Sequence, residues 1–367
     1  MTYSKLHVCG AILALTISLL IAFKISNYNY QPSNTIDYGV LPLPGTAIGP
    51  ESFAFDNLGR GPYTGVGDGR IIRWEEDEQR WVDFAVTSPH REGCEGPHID
   101  PYSMEHICGR PLGMCFSETN GDLYIADAYM GLLKVGPDGG LTSTIATHAD
   151  GIPFRFINSL DIDPTTSAVY FTDSSSTYQR RKYVYAILSG DKTGRLMRYD
   201  PSDRKVKVLL NNLSFPNGVE LSKNGNFILL AETGTCKILK YWIKTSKAGT
   251  LEDFAQLPGF PDNIKRSPRG GYWVAINSKK ERLLQWVLAY PWIGNFLTKL
   301  PFDLNKVYKF LTTYRGTGMA IRLGEDGEIL QVFEDLNKFK SLSEVLEKDG
   351  KLWIGSISFS FIGLYGI

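Results

Sequence analysis

The chain has 367 residues, and 43% of them are hydrophobic, so it can bury a large core and is not a disordered protein. Lys and Arg number 39, and Asp and Glu also number 39; this lack of a basic excess argues against a nucleic-acid-binding protein. The 37 glycines, the 19 prolines and an aromatic content of 12% favour an all-β chain with many turns over a helical bundle.

Residues 1–30 are predicted to form a signal peptide or a signal-anchor helix. Residues 8–23 carry no charged side chain and are mostly apolar, and Lys5 and Lys24 flank them. As a helix this stretch would be about 24 Å long, slightly short of a hydrocarbon core of ~30 Å. No clear cleavage site follows, so cleavage and anchoring both remain open. An anchor places the protein in the endoplasmic reticulum membrane, and cleavage sends it to the vacuole or the cell exterior.

Residues 31–48 are predicted to be a linker, because the polar stretch NYNYQPSNT follows the apolar segment at once. Two later features suit the secretory pathway. Cys94 and Cys108 flank a polar stretch without a strand pattern, and a disulfide between them would stabilise the fold by about 3 kcal/mol. Cys115 and Cys236 lie in apolar strand patterns and are predicted to be free and buried. Asn212 begins an Asn-x-Ser sequon and is predicted to be glycosylated.

Six stretches of the chain share one pattern. Each has a short alternating strand, a polar turn and an apolar-aromatic strand, and most continue into a third strand. The six stretches start at Glu51, Arg110, Asn158, Asn217, Asp262 and Ser343. Units of about 45–60 residues built from short strands are typical of a β-propeller. We therefore predict an all-β, six-bladed propeller over residues 49–367, and we expect it to be a monomer.

Two segments interrupt this repeat. The third unit breaks off after Ser176 and resumes at Gly194, which leaves an inserted loop. Residues 281–315 are aromatic, apolar and partly helical in pattern. We interpret them as a lid across one mouth of the propeller. A packing insertion on the rim and a second membrane contact are the alternatives.

Oxygen-bearing side chains recur where the units begin. Four units open with Glu51, Asn158, Asn217 and Asp262, and Asn263 follows the last of them. The innermost strand of each blade lines the central channel, so these side chains are expected to converge. Carboxylate and amide oxygens suit Ca²⁺ better than zinc or copper. Turn formation and strand capping are the structural alternative for each residue.

The sequence resembles the strictosidine synthase-like family, which includes adipocyte plasma membrane-associated protein. That family belongs to a wider group of six-bladed propellers with paraoxonase and gluconolactonase. The resemblance runs from about Gly49 to the C-terminus. It rests on the motifs GPYTGVGDGRIIRW, CGRPLG, LYIADAYMGLLKV, YFTDSSS, SGDKTGRLMRYDP and GFPDNIKRSPRGGYW. It implies that Glu51, Asn158, Asn217 and Asp262 hold calcium, as the matching residues do in the calcium-dependent hydrolases of the group.

Two departures from known members narrow the activity that the resemblance implies. Strictosidine synthase uses a last-blade Glu as the base of its Pictet–Spengler condensation, but the matching residue here is Ser343, and the neighbouring Glu344 would face the other side of a strand. Paraoxonase uses a His where this chain has Leu112. We therefore expect a Ca²⁺-dependent hydrolase of small esters or lactones, with Asp262 as the candidate base. A condensing enzyme and a non-catalytic, membrane-anchored binding propeller are the alternatives.

Overall fold

The computed structural model describes residues 38–96, 101–308, 318–335 and 339–367, and these residues form a ring of six antiparallel sheets. The innermost strands of successive sheets contact one another in chain order, as in a propeller. The predicted six-bladed fold is confirmed. The predicted signal or anchor segment lies outside the described residues. Among the described residues, no helix has both the length and the apolar composition needed to cross a bilayer.

The strands follow one another blade by blade. Strand β1 (Tyr38–Pro42) belongs to the last blade. Blade one contains β2 (Phe53–Ala54), β3 (Tyr63–Gly65), β4 (Arg70–Glu75) and β5 (Arg80–Val86). Blade two contains β6 (Pro111–Phe116), β7 (Leu123–Asp127), β8 (Gly131–Val135) and β10 (Ser143–Ala146). The short β9 (Gly140–Leu141), which lies between β8 and β10 in the chain, pairs with β5 of blade one. After the hairpin of β11 (His148–Ala149) and β12 (Ile152–Pro153), blade three contains β13 (Ile157–Ile162), β14 (Val169–Asp173), β15 (Gly194–Asp200) and β16 (Lys205–Leu213).

The remaining blades have the same order. Blade four contains β17 (Pro216–Leu221), β18 (Phe227–Glu232), β19 (Lys237–Trp242) and β20 (Leu251–Gln256). Blade five contains β21 (Gly259–Arg266), β22 (Tyr272–Lys279), β23 (Gly318–Leu323) and β24 (Ile329–Asp335). Blade six contains β25 (Glu344–Lys348), β26 (Lys351–Gly355), β27 (Phe361–Gly366) and β1. The helices among the described residues include α1 (Pro101–Cys108), α2 (Tyr183–Ser189), α3 (Arg282–Ala289) and α4 (Pro291–Leu297).

Pairing between the two ends of the propeller closes the ring. Strand β1 runs antiparallel to β27, with Tyr38 opposite Tyr365. The structure therefore differs from the expected boundary, because residues 38–42 lie within the predicted linker yet form the outer strand of blade six. The pairing satisfies the backbone groups that β27 would otherwise leave exposed at the edge of its sheet.

The hydrophobic core lies between neighbouring blades. One cluster joins Leu229 and Ile238 of blade four to Val274 and Ile321 of blade five, and all four side chains are fully buried. Other clusters join other neighbouring blades in the same way. Every residue of β7 and β18 is buried, which explains their nearly continuous apolar runs.

Both inserted segments form helices. Residues 177–193 contain α2, and the segment predicted as a lid contains α3 and α4 between two strands of blade five. The disulfide between Cys94 and Cys108 is confirmed, with 5.7 Å between the two Cα atoms. Cys236 is free and buried as predicted, whereas Cys115 is only partly buried. The Sγ atom of Cys115, on the inner strand β6, lies 3.8 Å from Oδ1 of Asp161 on the inner strand of the next blade.

Candidate functional site

A pocket of about 770 Å³ lies where the inner strands begin. Its polar wall includes Glu51, Asn158, Asn217 and Asp262, so the structure brings these four predicted residues together. All four are more than nine-tenths buried. The apolar wall includes Leu112, Phe156, Tyr183, Ile187, Phe215, Phe260 and Leu284.

Four inner strands share an irregularity beside this pocket. Their pairing register shifts between Pro111 and Met114, between Ile157 and Leu160, between Pro216 and Val219, and between Pro261 and Ile264. In a regular strand, successive side chains point to alternate faces of the sheet, and a bulge changes the direction in which they point. In these four strands, the repeated bulge explains how the first residues are directed towards the pocket.

The inner strands also approach each other closely at these bulges. A Cβ atom on Gly218 would lie 2.6 Å from the Cα atom of Asn263, so only glycine fits there. Hydroxyl groups from neighbouring blades satisfy backbone carbonyls at this end of the inner strands. Thr172 donates to the carbonyl of Asn217 at 2.8 Å, and Ser343 donates to that of Glu51 at 2.6 Å. The site is therefore built on rigid strands.

Side-chain hydrogen bonds fix the polar wall. The Nδ2 atom of Asn217 donates to Oδ1 of Asp262 at 2.7 Å, and Nδ2 of Asn263 donates to Oε1 of Glu51 at 2.9 Å. The Nδ2 atom of Asn158 donates to the hydroxyl of Ser174 at 2.9 Å. The three Asn residues thus use their amide nitrogens to bond neighbouring side chains, and this leaves amide oxygens available for another partner.

Three buried oxygens at or beside the pocket have no hydrogen-bond partner in the described structure: Oε2 of Glu51, Oδ1 of Asn217 and Oδ1 of Asn263. Glu51 and Asn217 line the pocket, whereas Asn263 does not line it and reaches it only through its hydrogen bond to Glu51. Buried oxygens without a partner are costly, and a hard cation satisfies such atoms. The described residues contain no group of three or more His, Cys, Asp or Glu suited to a metal. The wall instead combines two carboxylates with amide oxygens, and this donor set fits Ca²⁺.

The surroundings of Glu51 and Asp262 disfavour the charged forms of their carboxyl groups. Burial raises the pKa of Glu51 above its usual value, although Arg110 and Arg180 oppose this effect. Burial, followed by the charge of Glu51, raises the pKa of Asp262 well above its usual value. Two carboxylates in one buried site disfavour each other's charged form. A divalent cation between them would remove that cost.

The two departures seen in the sequence are visible in the structure. Leu112 lines the pocket at the position where paraoxonase has its His. Neither Ser343 nor Glu344 lines the pocket. Glu344 instead accepts a hydrogen bond at 2.7 Å from the backbone N–H of Phe53, and its other oxygen lies 3.8 Å from Nζ of Lys265.

The sequence analysis missed polar residues that the insertions and outer strands bring to the pocket. Arg180 lines the pocket and forms a buried ion pair with Glu105 of α1 at 2.5 Å. Asn277 donates to Oδ2 of Asp262 at 3.2 Å and accepts a hydrogen bond from Tyr308 at 2.9 Å. No motif marks these residues: Arg180 and Tyr308 lie in insertions that occur once, and Asn277 lies at the end of a blade strand whose repeated pattern does not indicate a pocket residue.

A second buried polar group lies farther along the same inner strands. The acidic residues Asp161 and Glu220 each follow a pocket residue by three positions, and both interact with Lys265. Burial, and then the charge of Asp161, raises the pKa of Glu220 to about 8. Burial alone would lower the pKa of Lys265, but Glu344, Glu220 and Asp161 raise it above its usual value.

The raised pKa of Glu220 predicts a pH-dependent stability. In the folded protein Glu220 keeps a proton up to about pH 8, whereas the unfolded chain releases it near the ordinary value of 4.5. The free energy of unfolding should therefore fall as the pH rises between these values. Glu220→Gln should flatten this fall in urea titrations across the range, and exposed Glu118→Gln should not. Equal slopes for Glu220→Gln and the wild type would contradict the prediction.

Two family models and two plant relatives match this chain, and all four carry the name strictosidine synthase or strictosidine synthase-like. Residues 158–246 match the strictosidine synthase family, and residues 38–74 match the strictosidine synthase-like N-terminal family. The chain is 54% identical over 340 residues to strictosidine synthase-like protein 2 of Arabidopsis thaliana, covering 90% of each chain. It is 49% identical over 323 residues to strictosidine synthase-like protein 10 of the same plant, covering 88% of this chain and 86% of the relative.

Among solved structures, the chain has the fold of two bacterial propellers. A gluconolactonase of Xanthomonas campestris aligns with a TM-score of 0.57 at 12% identity, over 93% of this chain and 99% of the other. The calcium-binding protein regucalcin of Agrobacterium tumefaciens aligns with a TM-score of 0.52 at 13% identity, over 89% and 95% of the two chains. At these identities the likeness is one of fold.

Proposed function

The chain belongs to the strictosidine synthase-like family, and we propose that it is a Ca²⁺-dependent hydrolase of ester or lactone bonds. The observation that carries this proposal is the pair of buried, partnerless oxygens on Glu51 and Asn217, which both line the pocket, together with a third on Asn263, which donates a hydrogen bond to Glu51. A gluconolactonase and a calcium-binding propeller of the same fold support it.

The proposed calcium ligands are Glu51, Asn158, Asn217, Asp262 and Asn263. Bound Ca²⁺ would supply Lewis-acid polarisation of a substrate carbonyl oxygen. Asp262 is the proposed base, since hydrogen bonds from Asn217 and Asn277 fix its carboxyl group in the pocket. In the proposed reaction, Oδ2 of Asp262 accepts a proton from the attacking water as the water oxygen bonds to the carbonyl carbon of the substrate. The bond from that carbon to the alkoxide oxygen then breaks, and the leaving alkoxide takes up the proton.

The rest of the pocket determines which substrates fit. Phe156, Phe215, Phe260 and Leu284 form an apolar wall that excludes water and favours a substrate with an apolar body. Arg180, held by Glu105, adds a fixed positive charge beside the two acidic ligands. The proposed substrate is therefore a small ester or lactone with an apolar acyl or alkyl group.

We further propose that the protein acts in the secretory pathway. The disulfide between Cys94 and Cys108 suits an oxidising compartment, and Asn212 of the sequon is exposed, as glycosylation requires. Whether residues 1–30 are cleaved would decide between a membrane-bound and a released form.

Calcium analysis combined with an activity panel tests the proposed function. The purified full-length protein should contain stoichiometric calcium by elemental analysis. It should hydrolyse members of a panel of aryl esters and lactones, lose this activity in chelator and regain it on adding Ca²⁺. Condensation of tryptamine with secologanin in the presence of chelator would contradict the proposal. Calcium-dependent stability without any turnover would instead favour a non-catalytic binding propeller.

A further inference from the structure

A patch of exposed aromatic side chains lies on the insertion of blade five. This aromatic patch consists of Trp286, Tyr290, Trp292, Phe296 and Phe302. Trp292 is 69% exposed and Trp286 is 54% exposed. Single exposed apolar residues are common on protein surfaces, but five large aromatic residues within a segment of 17 positions form a concentration that needs a partner.

The segment that carries the patch is fixed to the propeller. Val287 of α3 and Ile293 of α4, which follow the exposed Trp286 and Trp292 in sequence, are buried. Gly294 of α4 packs against α2 so closely that a Cβ atom there would lie 1.6 Å from the carbonyl oxygen of Leu188. The hydroxyl of Tyr185 also donates to the carbonyl of Phe302 at 3.1 Å. The exposed rings therefore form the outer face of an anchored element.

The charge around the patch distinguishes it from the rest of the chain. Residues 279–308 contain five Lys or Arg and two Asp or Glu, whereas the whole chain has equal numbers of the two classes. Arg282, Lys299 and Lys306 are exposed on the same segment. Interfaces between proteins are enriched in aromatic residues but depleted in Lys. Trp and Tyr rings accompanied by basic side chains are instead typical of the boundary between water and an anionic bilayer.

We propose that the aromatic patch docks the propeller onto an anionic membrane surface. The rings would enter the headgroup region, and Arg282, Lys299 and Lys306 would contact lipid phosphates. The same segment also supplies Leu284 and Tyr308 to the pocket, so docking would hold the pocket beside the membrane. Docking through this patch does not require that residues 1–30 anchor the chain.

Tryptophan quenching by brominated lipids tests the proposal in the full-length protein. Residues 1–37 contain no Trp, so their insertion in a bilayer cannot produce the signal. The Trp residues outside the patch are buried or half-buried. Vesicles of brominated phosphatidylcholine and phosphatidylserine should quench the wild type. Replacing Trp286 and Trp292 with Phe should remove most of the quenching while the protein still sediments with the vesicles.

A matched pair of variants tests the role of the patch. Phe296→Ser combined with Phe302→Ser leaves both reporter Trp residues in place and should weaken vesicle binding of the propeller, measured by quenching, at least about tenfold. Leu58→Ser is the control, because Leu58 is 78% exposed in the turn after β2, at the other end of that strand from Glu51. It should bind like the wild type. Thermal melts should confirm that all variants fold.

Three outcomes would overturn the proposal. The first is an unquenched wild type that nevertheless sediments with the vesicles, which would mean that only residues 1–30 bind lipid. The second is equal loss of quenching in the Phe double variant and in Leu58→Ser. The third is a dimer, seen by light scattering, that the Phe double variant converts to a monomer without any quenching in the wild type. That result would identify a second copy of the chain as the partner of the patch.

Discussion

Asp262→Asn is expected to abolish both calcium binding and hydrolysis without destabilising the calcium-free fold. The change removes one of the two carboxylates proposed to hold the ion, and it removes the proposed base. We expect calcium affinity to fall at least about 100-fold and turnover to fall to background. In chelator the variant should melt at or above the wild-type temperature, because burial and Glu51 disfavour the charged form of Asp262 in the folded protein.

Calorimetric calcium titration and thermal melts with and without Ca²⁺ would measure these effects. Wild-type protein should melt higher when calcium is added, since a ligand that binds only the folded state stabilises it. Ser343→Ala is the control, because Ser343 donates a buried hydrogen bond to the carbonyl of Glu51 but does not line the pocket. It should lose about 1 kcal/mol of stability and keep its turnover. A calcium-dependent rise in melting temperature that survives in Asp262→Asn would refute the proposed site.

Lys265→Met is expected to be the most destabilising single change at the second buried polar group. Lys265 offsets the charges of Asp161, Glu220 and Glu344, and its side chain is 13% exposed. Removing one partner of a buried ionic group costs about 3–5 kcal/mol, because the remaining charges stay in a poorly solvated site. Burial raises the pKa of Glu344 to about 7, and that of Glu220 is raised to about 8. The loss of unfolding free energy should therefore be larger at a pH above these values, where Glu344 and Glu220 would both be charged.

Urea unfolding of Lys265→Met on either side of this pH range would measure the effect. Lys237→Met is the matched control, because Lys237 forms an ion pair with Asp253 whose side chain is 65% exposed. Exposed ion pairs contribute about 0–1 kcal/mol, so the control should unfold almost like the wild type. A small, pH-independent loss in Lys265→Met would show that Lys265 does not balance the three acidic groups.

The sequence alone determined the six-bladed fold and the polar wall of the pocket. The predicted unit starts lie within three residues of the inner strands that begin at Phe53, Pro111, Ile157, Pro216, Gly259 and Glu344. This was predictable because each blade repeats the same local pattern of apolar strands and polar turns. The proposed ligands could be found for the same reason, since each stands at the start of a repeated unit.

The tertiary structure decided the features that have no repeated signal. Closure by β1 depends on pairing with β27 more than 300 residues later, and a five-residue segment does not specify so distant a partner. The ion pair of Arg180 with Glu105 joins two segments that each occur once, and Tyr308 of the blade-five insertion donates to Asn277 at the end of a blade strand. Only the folded arrangement shows that these insertions complete the pocket, because side-chain contacts between distant segments depend on how the blades and helices pack.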